Sequence, residues 1–427
     1  MNLIQVRIWG KLVGVLVWNE ETKITSFQYS DDFIRGNLQL SPLINPLSPE
    51  VIKAKPQLYT TDESIDFNTN KGLPLFISDS LPDKFGTTLF AKYLEKEGKS
   101  FRDLTPIEKL SYVGERGMGA LEYLPVKYNK QNKQQLNLKV LNELSQSLLN
   151  DEPIANLEDM SSLFHIGTSP GGAQPKVLIN IDKRTGNIYR GDIVPKEGQE
   201  SWILKFNRDI GEQSDKDRGK VEYAYYLIAR NSGIHIMDSE LQQIGEEYCF
   251  MTKRFDREEG IKLHTQTLHA FAGMNFKLRN TYSYEQVFTV LNKINLSYPH
   301  KEQLFRTMVF NIIGRNVDDH TKNFGFRMDK SGEWTMSPAY DLTFTYNENY
   351  KTETPHFLSI NGKNRNIGLN DIMTIAVEHS IKNPKSIINQ VNQSFQEWEE
   401  IADRLEVSTH TKEKILSKLN TIPYVIK

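Results

Sequence analysis

The chain has almost no cysteine. Cys249 is the single thiol among 427 residues, which excludes an intrachain disulfide and a cysteine-built zinc site. One thiol in a chain of this size fits a reducing compartment. Long apolar runs are missing as well. The run from Leu12 to Trp18 is too short to cross a bilayer, and no small-residue cleavage site follows it. The expectation is a cytoplasmic protein with no membrane contact. There is also no excess of one charge: 52 basic and 54 acidic residues leave a formal net charge of −2. That balance argues against a chain that wraps nucleic acid by its own basic face.

What is present is ordinary for a globular enzyme, with 38% hydrophobic and 25% charged residues. The length exceeds what one hydrophobic core usually serves, so two or more domains are expected. Met1 to about Phe27 reads as a hairpin turning at Gly10-Lys11, with a third strand at Ile24 to Phe27. Prolines at 42, 46, 49 and 56 predict loop from Leu38 to Pro56. Helices are predicted from about Pro82 to Glu97, over Thr105 to Val113 (opened by Thr105-Pro106), and from Leu138 to Leu149. The polar stretch Asn129 to Asn137 reads as a linker. Strands are predicted at Lys176 to Ile181, Ile188 to Arg190, Trp202 to Phe206, Leu241 to Ile244 and Tyr248 to Thr252, with a helix at Glu222 to Asn231. After about residue 258 the periodicity turns helical, as in Leu304, Phe305, Met308, Val309, Ile312 and Ile313. The expected fold class is α+β, a β-rich half joined to an α-rich half.

Four segments carry candidate chemistry. Gly167 to Lys176, with Gly171, Gly172, Ala173, Gln174 and Pro175, leads into the apolar run Val177-Leu178-Ile179. Glycines there let backbone N–H groups approach phosphate oxygens, although an ordinary glycine turn before a strand gives the same pattern. Lys205 sits among apolar residues in Trp202-Ile203-Leu204-Lys205-Phe206 and needs an anionic partner if buried. Glu222, on the next helix, could supply it as a structural ion pair; a solvent-facing edge lysine is the plainer reading. In Asp318-Asp319-His320-Thr321-Lys322-Asn323, Asp318 and Asn323 keep the spacing by which one loop aims a carboxylate at a hydroxyl and an amide oxygen at Mg²⁺. Downstream, Asp341 ends the stretch Trp334 to Tyr340, placed to share that ion. A solvated loop, or a zinc or iron site built from Asp318, Asp319 and His320, are the rival readings.

Together these residues resemble the HipA family of bacterial serine/threonine kinases, the toxin component of HipA–HipB modules. The resemblance runs over nearly the whole chain. Phe76 to Asp83 and Gly114 to Leu121 match the N-terminal accessory region, and Ser169 to Lys176, Lys253 to Arg257, Val317 to Asn323 and Ser337 to Asp341 carry the signature. It implies a two-lobed protein-kinase-like fold: an accessory subdomain over 1–128, a kinase N-lobe over 138–257 and an all-α C-lobe over 258–427. It implies ATP and Mg²⁺, with Asp318 as catalytic base and Asn323 and Asp341 as metal ligands. Lys205 and Gly171 through Lys176 would lie against the phosphates; Lys253, Arg254 and Phe255 would line the adenine pocket; His320, Lys322 and Tyr340 would contact nucleotide. Ser169 matches the autophosphorylated loop serine, whose phosphate would repel nucleotide. The implied partners are a protein substrate, with aminoacyl-tRNA synthetases the family's targets, and a HipB-like helix-turn-helix antitoxin through which DNA is contacted indirectly. A small-molecule kinase and a co-repressor module are the alternatives. Asp319, where some relatives carry glycine, is left without a role.

Overall fold

Trp9 and Gly10 both take positive φ, 49° and 78°, the backbone that a two-residue turn between right-twisted strands requires. In the computed structural model this turn, one residue earlier than the pattern suggested, joins β1 (Leu3–Ile8) to β2 (Lys11–Asn19). β3 (Ile24–Tyr29) follows antiparallel to β2. With β4 (Leu58–Tyr59) and β5 (Leu121–Leu124) they form a five-stranded sheet in the order β4-β3-β2-β1-β5. Alternation decides its faces: Ile4, Val6 and Ile8 are fully buried, while Leu3 is half exposed. The structure describes residues 2–36, 38–47, 58–59, 67–128, 135–152, 157–167, 172–210, 213–214, 216–347, 349–350 and 353–419. The expected linker therefore lies mostly outside the described residues, as does the second half of the proline-rich loop.

The chain divides into two compact units. The first contains Met1–Lys216, Gln242–Gln266 and Arg327–Glu333, and the second Asp217–Leu241, Thr267–Phe326 and Trp334–Lys427. Accessory and N-lobe segments thus share the first unit. Residues 217–241 join the second because of packing: helix Arg218–Asn231 lies on helices Pro384–Gln396 and Trp398–Arg404. There the Tyr225 ring meets Phe310, Phe395 and Trp398 edge-on, and its hydroxyl donates to the Gly314 carbonyl at 2.6 Å.

The second sheet of the first unit is built from β6 (Lys176–Asp182), β7 (Ile188–Arg190), β8 (Gln199–Lys205) and the hairpin Ser239–Ile244/Glu247–Lys253. β8 lies between β6 and Glu247–Lys253. Helices Lys84–Lys96, Leu138–Leu149 and Leu157–Gly167 bury Phe85, Phe90, Leu141 and Phe164 in one core with Val177, Trp202, Leu204 and Met251. Leu157–Gly167 was not anticipated from sequence, since its two serines and short length mask the helical period. Helix Pro106–Val113 starts where expected, with a capping box between Thr105 and Glu108.

The second unit is mainly helical, as the periodicity predicted: Tyr284–Lys293, Tyr298–Ile313, Leu369–Glu378, Pro384–Gln396, Trp398–Arg404 and Thr409–Leu419. Short strands at Gly325–Met328 and Trp334–Met336 interrupt the expected all-α pattern. Helix Tyr298–Ile313 stops at Gly314, where a Cβ would lie 2.3 Å from the Phe395 ring. Arg315 then turns the chain at φ 53° into the acidic loop. Among the described residues, no helix is long and apolar enough to cross a membrane.

Candidate active site

The acidic loop is fixed at the backbone before any side chain acts. The N–H groups of Val317 and Asp318 both donate to Thr345 Oγ1, at 2.8 and 3.1 Å. At the far end, Asn323 Nδ2 donates to the Asp318 carbonyl at 2.7 Å. With its amide nitrogen so engaged, Asn323 Oδ1 is the atom left to meet a cation. Asp318 is half-buried. Burial is the largest influence on its carboxyl and raises it above the ordinary range; His320 pulls downward, and Asp341 upward. A carboxyl held above its usual value beside a second acid suits a proton acceptor near an ion.

Its neighbour is different. Asp319 is fully buried, and its oxygens are taken by three donors: Phe357 N at 2.7 Å on Oδ1, and Tyr284 Oη at 3.0 Å and His356 Nδ1 at 2.9 Å on Oδ2. The two acids that sequence could not separate are therefore separated by environment. Asp319 also does not join Asp318 and His320 in a three-ligand cluster. Among the described residues, no group of three His, Cys, Asp or Glu side chains could hold a metal. His320 is half-buried in edge contact with the rings of Phe276 and Phe357, and among the described residues its Nδ1 meets no hydrogen-bond partner.

Asp341 stands in left-handed backbone, φ 58°, unusual for a residue with a Cβ and frequent at functional sites. Its carbonyl accepts from Asn316 Nδ2 at 3.4 Å. Tyr340 Oη donates to the Lys322 carbonyl at 2.8 Å, and the Lys322 ammonium lies 4.6 Å from the centre of the Phe276 ring. Gly325 permits this closeness, since a Cβ there would lie 2.8 Å from Ser337 Oγ. Asn311, Asn316, Asn323 and Ser337 line a small pocket together with apolar Phe324 and Met336.

In the first unit, Lys176 of β6 stands directly opposite Lys205 of β8, both buried. Opposite residues share a face, and like charges so placed disfavour the sheet. The Lys205 ammonium lies 5.6 Å from the Phe250 ring centre. Gly172 takes φ 101°, and a Cβ there would lie 2.7 Å from Lys176 Nζ. Its N–H donates to Asp83 Oδ2 at 3.0 Å and its carbonyl accepts from Phe85 N at 3.3 Å. The Ala173 carbonyl accepts from Arg208, Gln174 donates to the Phe206 carbonyl, and Phe206 N donates to the Pro175 carbonyl. Ser169 and Gly171 lie outside the described residues.

Lys253 pairs with Glu200 at 2.8 Å and Phe255 is half-buried. Arg254 is buried, with two 2.8 Å hydrogen bonds to Asp256 and one of 3.1 Å to the Gly191 carbonyl. Asp256 also accepts from Arg257 and from Gly119 N. Sequence reasoning flagged this basic motif but passed over Asp256, although the acid between two arginines was visible. Glu222 is buried on helix Arg218–Asn231 of the second unit. Arg116 was also missed; its guanidinium donates to the carbonyls of Tyr112, Phe164 and His165, closing the end of the helix before the glycine loop.

Known proteins show the same organisation. The HipA N-terminal domain model matches residues 4–124, and the HipA-like C-terminal domain model matches residues 168–402. The solved complex of HipA, HipB and operator DNA from Shewanella oneidensis MR-1 contains a chain that superposes with TM-score 0.67. That match has 16% identity and covers 98% of this chain and 97% of that one. The proinflammatory kinase CtkA of Helicobacter pylori is 14% identical, covering 52% of this chain and 85% of that one. Its TM-score of 0.34 carries no structural argument. A Haemophilus influenzae protein described as "Putative kinase" is 24% identical over 192 residues, 41% of this chain; the match spans about half (52%) of that protein's length. With one family model covering more than half of its length and a second covering the N-terminal sheet, the chain belongs to the HipA family.

Proposed function

We propose that the chain is an ATP-dependent kinase that transfers the γ-phosphoryl group to a serine hydroxyl of a protein. The carrying observation is the division of labour within one loop, where Asp319 is spent on buried hydrogen bonds while Asp318 is half-open with a raised carboxyl. Asp318 accepts the hydroxyl proton as the oxygen attacks phosphorus in line. Asn323 Oδ1 and the Asp341 carboxylate are an oxygen donor set suited to Mg²⁺. Bound there, Mg²⁺ would neutralise charge on the phosphates. In the first unit, Lys176 and Lys205 on neighbouring strands and the backbone at Gly172 suit a polyphosphate. Ser169 would be the autophosphorylated position and the adenine would lie against the Lys253–Phe255 segment.

A HipB-like partner is part of this reading, supported by likeness along nearly the whole chain to a HipA solved with HipB and DNA. Incubating the protein with Mg·ATP and a bacterial lysate, then mapping phosphopeptides, tests the substrate class. New phosphoserines on proteins are the expected result. Phosphate found only on small molecules would replace the reading with a small-molecule kinase.

A further inference from the structure

We infer that Asp319 is a positioning residue that aims Asp318, acting through His356 and Tyr284; this rests on the kinase reading above. A buried carboxylate is costly unless its oxygens are satisfied, and Asp319 meets three donors from two distant segments. Tyr284 opens the helix Tyr284–Lys293. His356 and Phe357 belong to a segment held in turn by His356 N on the Asn364 carbonyl at 2.9 Å and by the Glu353–Arg315 ion pair. Asp319 therefore fastens the loop to a frame that the loop does not itself supply.

The fastening continues around Asp318. The Tyr284 hydroxyl accepts from Asn311 Nδ2 at 3.0 Å, and Asn311 Oδ1 accepts from Asn316 Nδ2 at 2.9 Å. Asn316 Oδ1 accepts from Thr345 Oγ1 at 3.3 Å, and that oxygen receives the N–H of Asp318. The ring closes with Asp318 between its two ends. Asn316 also reaches the Asp341 carbonyl, so the frame that holds the base touches the second acid. His356 Nδ1 is the ring nitrogen that faces Asp319, 2.9 Å from Oδ2. Asp318 and Asp319 share one peptide unit, so fixing the Asp319 carboxylate in this frame also fixes the backbone that carries Asp318.

The test is steady-state kinetics on Asp319→Ala and Asp319→Asn beside Asp318→Ala, with nucleotide affinity and thermal melts measured in parallel. Asp319→Ala should lower kcat ten- to a hundredfold, the usual cost of a misplaced reacting group, and change KM for ATP less than about twofold. Asp319→Asn keeps an acceptor for Phe357 N and should fall between; it also serves if the alanine variant does not fold. The double variant Asp318→Ala/Asp319→Ala should be no slower than Asp318→Ala alone, because Asp319 acts only through Asp318. Full kcat in folded Asp319→Ala or Asp319→Asn, with Asp318→Ala inactive, overturns this inference and leaves the kinase reading standing. Equal activity in Asp318→Ala and wild type overturns the kinase reading itself.

Discussion

The first unit sets two lysines side by side, Lys176 against Lys205 across neighbouring strands. The second sets acids close enough that Asp341 raises Asp318. Folding alone favours neither arrangement, since like charges repel most where water is scarce. Elsewhere the same chain buries charges in the opposite manner. Arg254, Asp256 and Arg257 form a satisfied cluster, as do Arg190 and Asp192 at 2.6 Å. The contrast separates two uses of buried charge. Mixed clusters hold the fold, and the proposed function would give the like-charge neighbours ligands of the other sign, a polyanion in the first unit and a cation in the second.

Three substitutions break this contrast from different sides. The largest effect on stability is expected at Asp256. Asp256→Asn leaves Arg254 and Arg257 buried together, and losing one member of a buried pair costs about 3–5 kcal/mol; a lowered melting temperature checks it. Burial pushes the Asp256 carboxyl up, but Arg254 and Arg257 outweigh it and hold the group well below its ordinary range. Its contribution is therefore full above about pH 4, near the unfolded value, and is lost as pH falls further. An Asp256→Asn melt should accordingly converge toward wild type in acid. Lys205→Met and Lys176→Met should act mainly on binding instead. Each should weaken nucleotide binding roughly ten- to a hundredfold, about 1.4–2.8 kcal/mol, with a smaller loss of melting temperature than Asp256→Asn. Nucleotide titration and a melt of each variant decide between the two patterns, and a destabilised Lys176→Met with wild-type affinity would merge the two classes of charge.

Much of this was legible before the structure. The Asp318–Asn323 spacing survives because both ends of one short loop share a hydrogen bond. The strands around Lys205 were visible because a short apolar run is a local signal. What sequence could not give is register and distant company. Nothing in a one-dimensional pattern puts Lys176 opposite Lys205, or brings Tyr284, Thr345 and His356 to the two acids. The unit boundary failed to show for the same reason. Helix Arg218–Asn231 follows a β-rich stretch in the chain, but its aromatic face is buried among helices near the C-terminus. Ser169 and Gly171 remain readings of sequence.

The claim that Asp318 is the base, with Asp319 its support, is tested most directly by single-turnover phosphoryl transfer from labelled ATP at saturating Mg²⁺. Asp318→Ala should bind nucleotide as wild type does and transfer phosphate at least a hundredfold more slowly, the range expected for a lost general base. Transfer at the wild-type rate by Asp318→Ala would contradict the account.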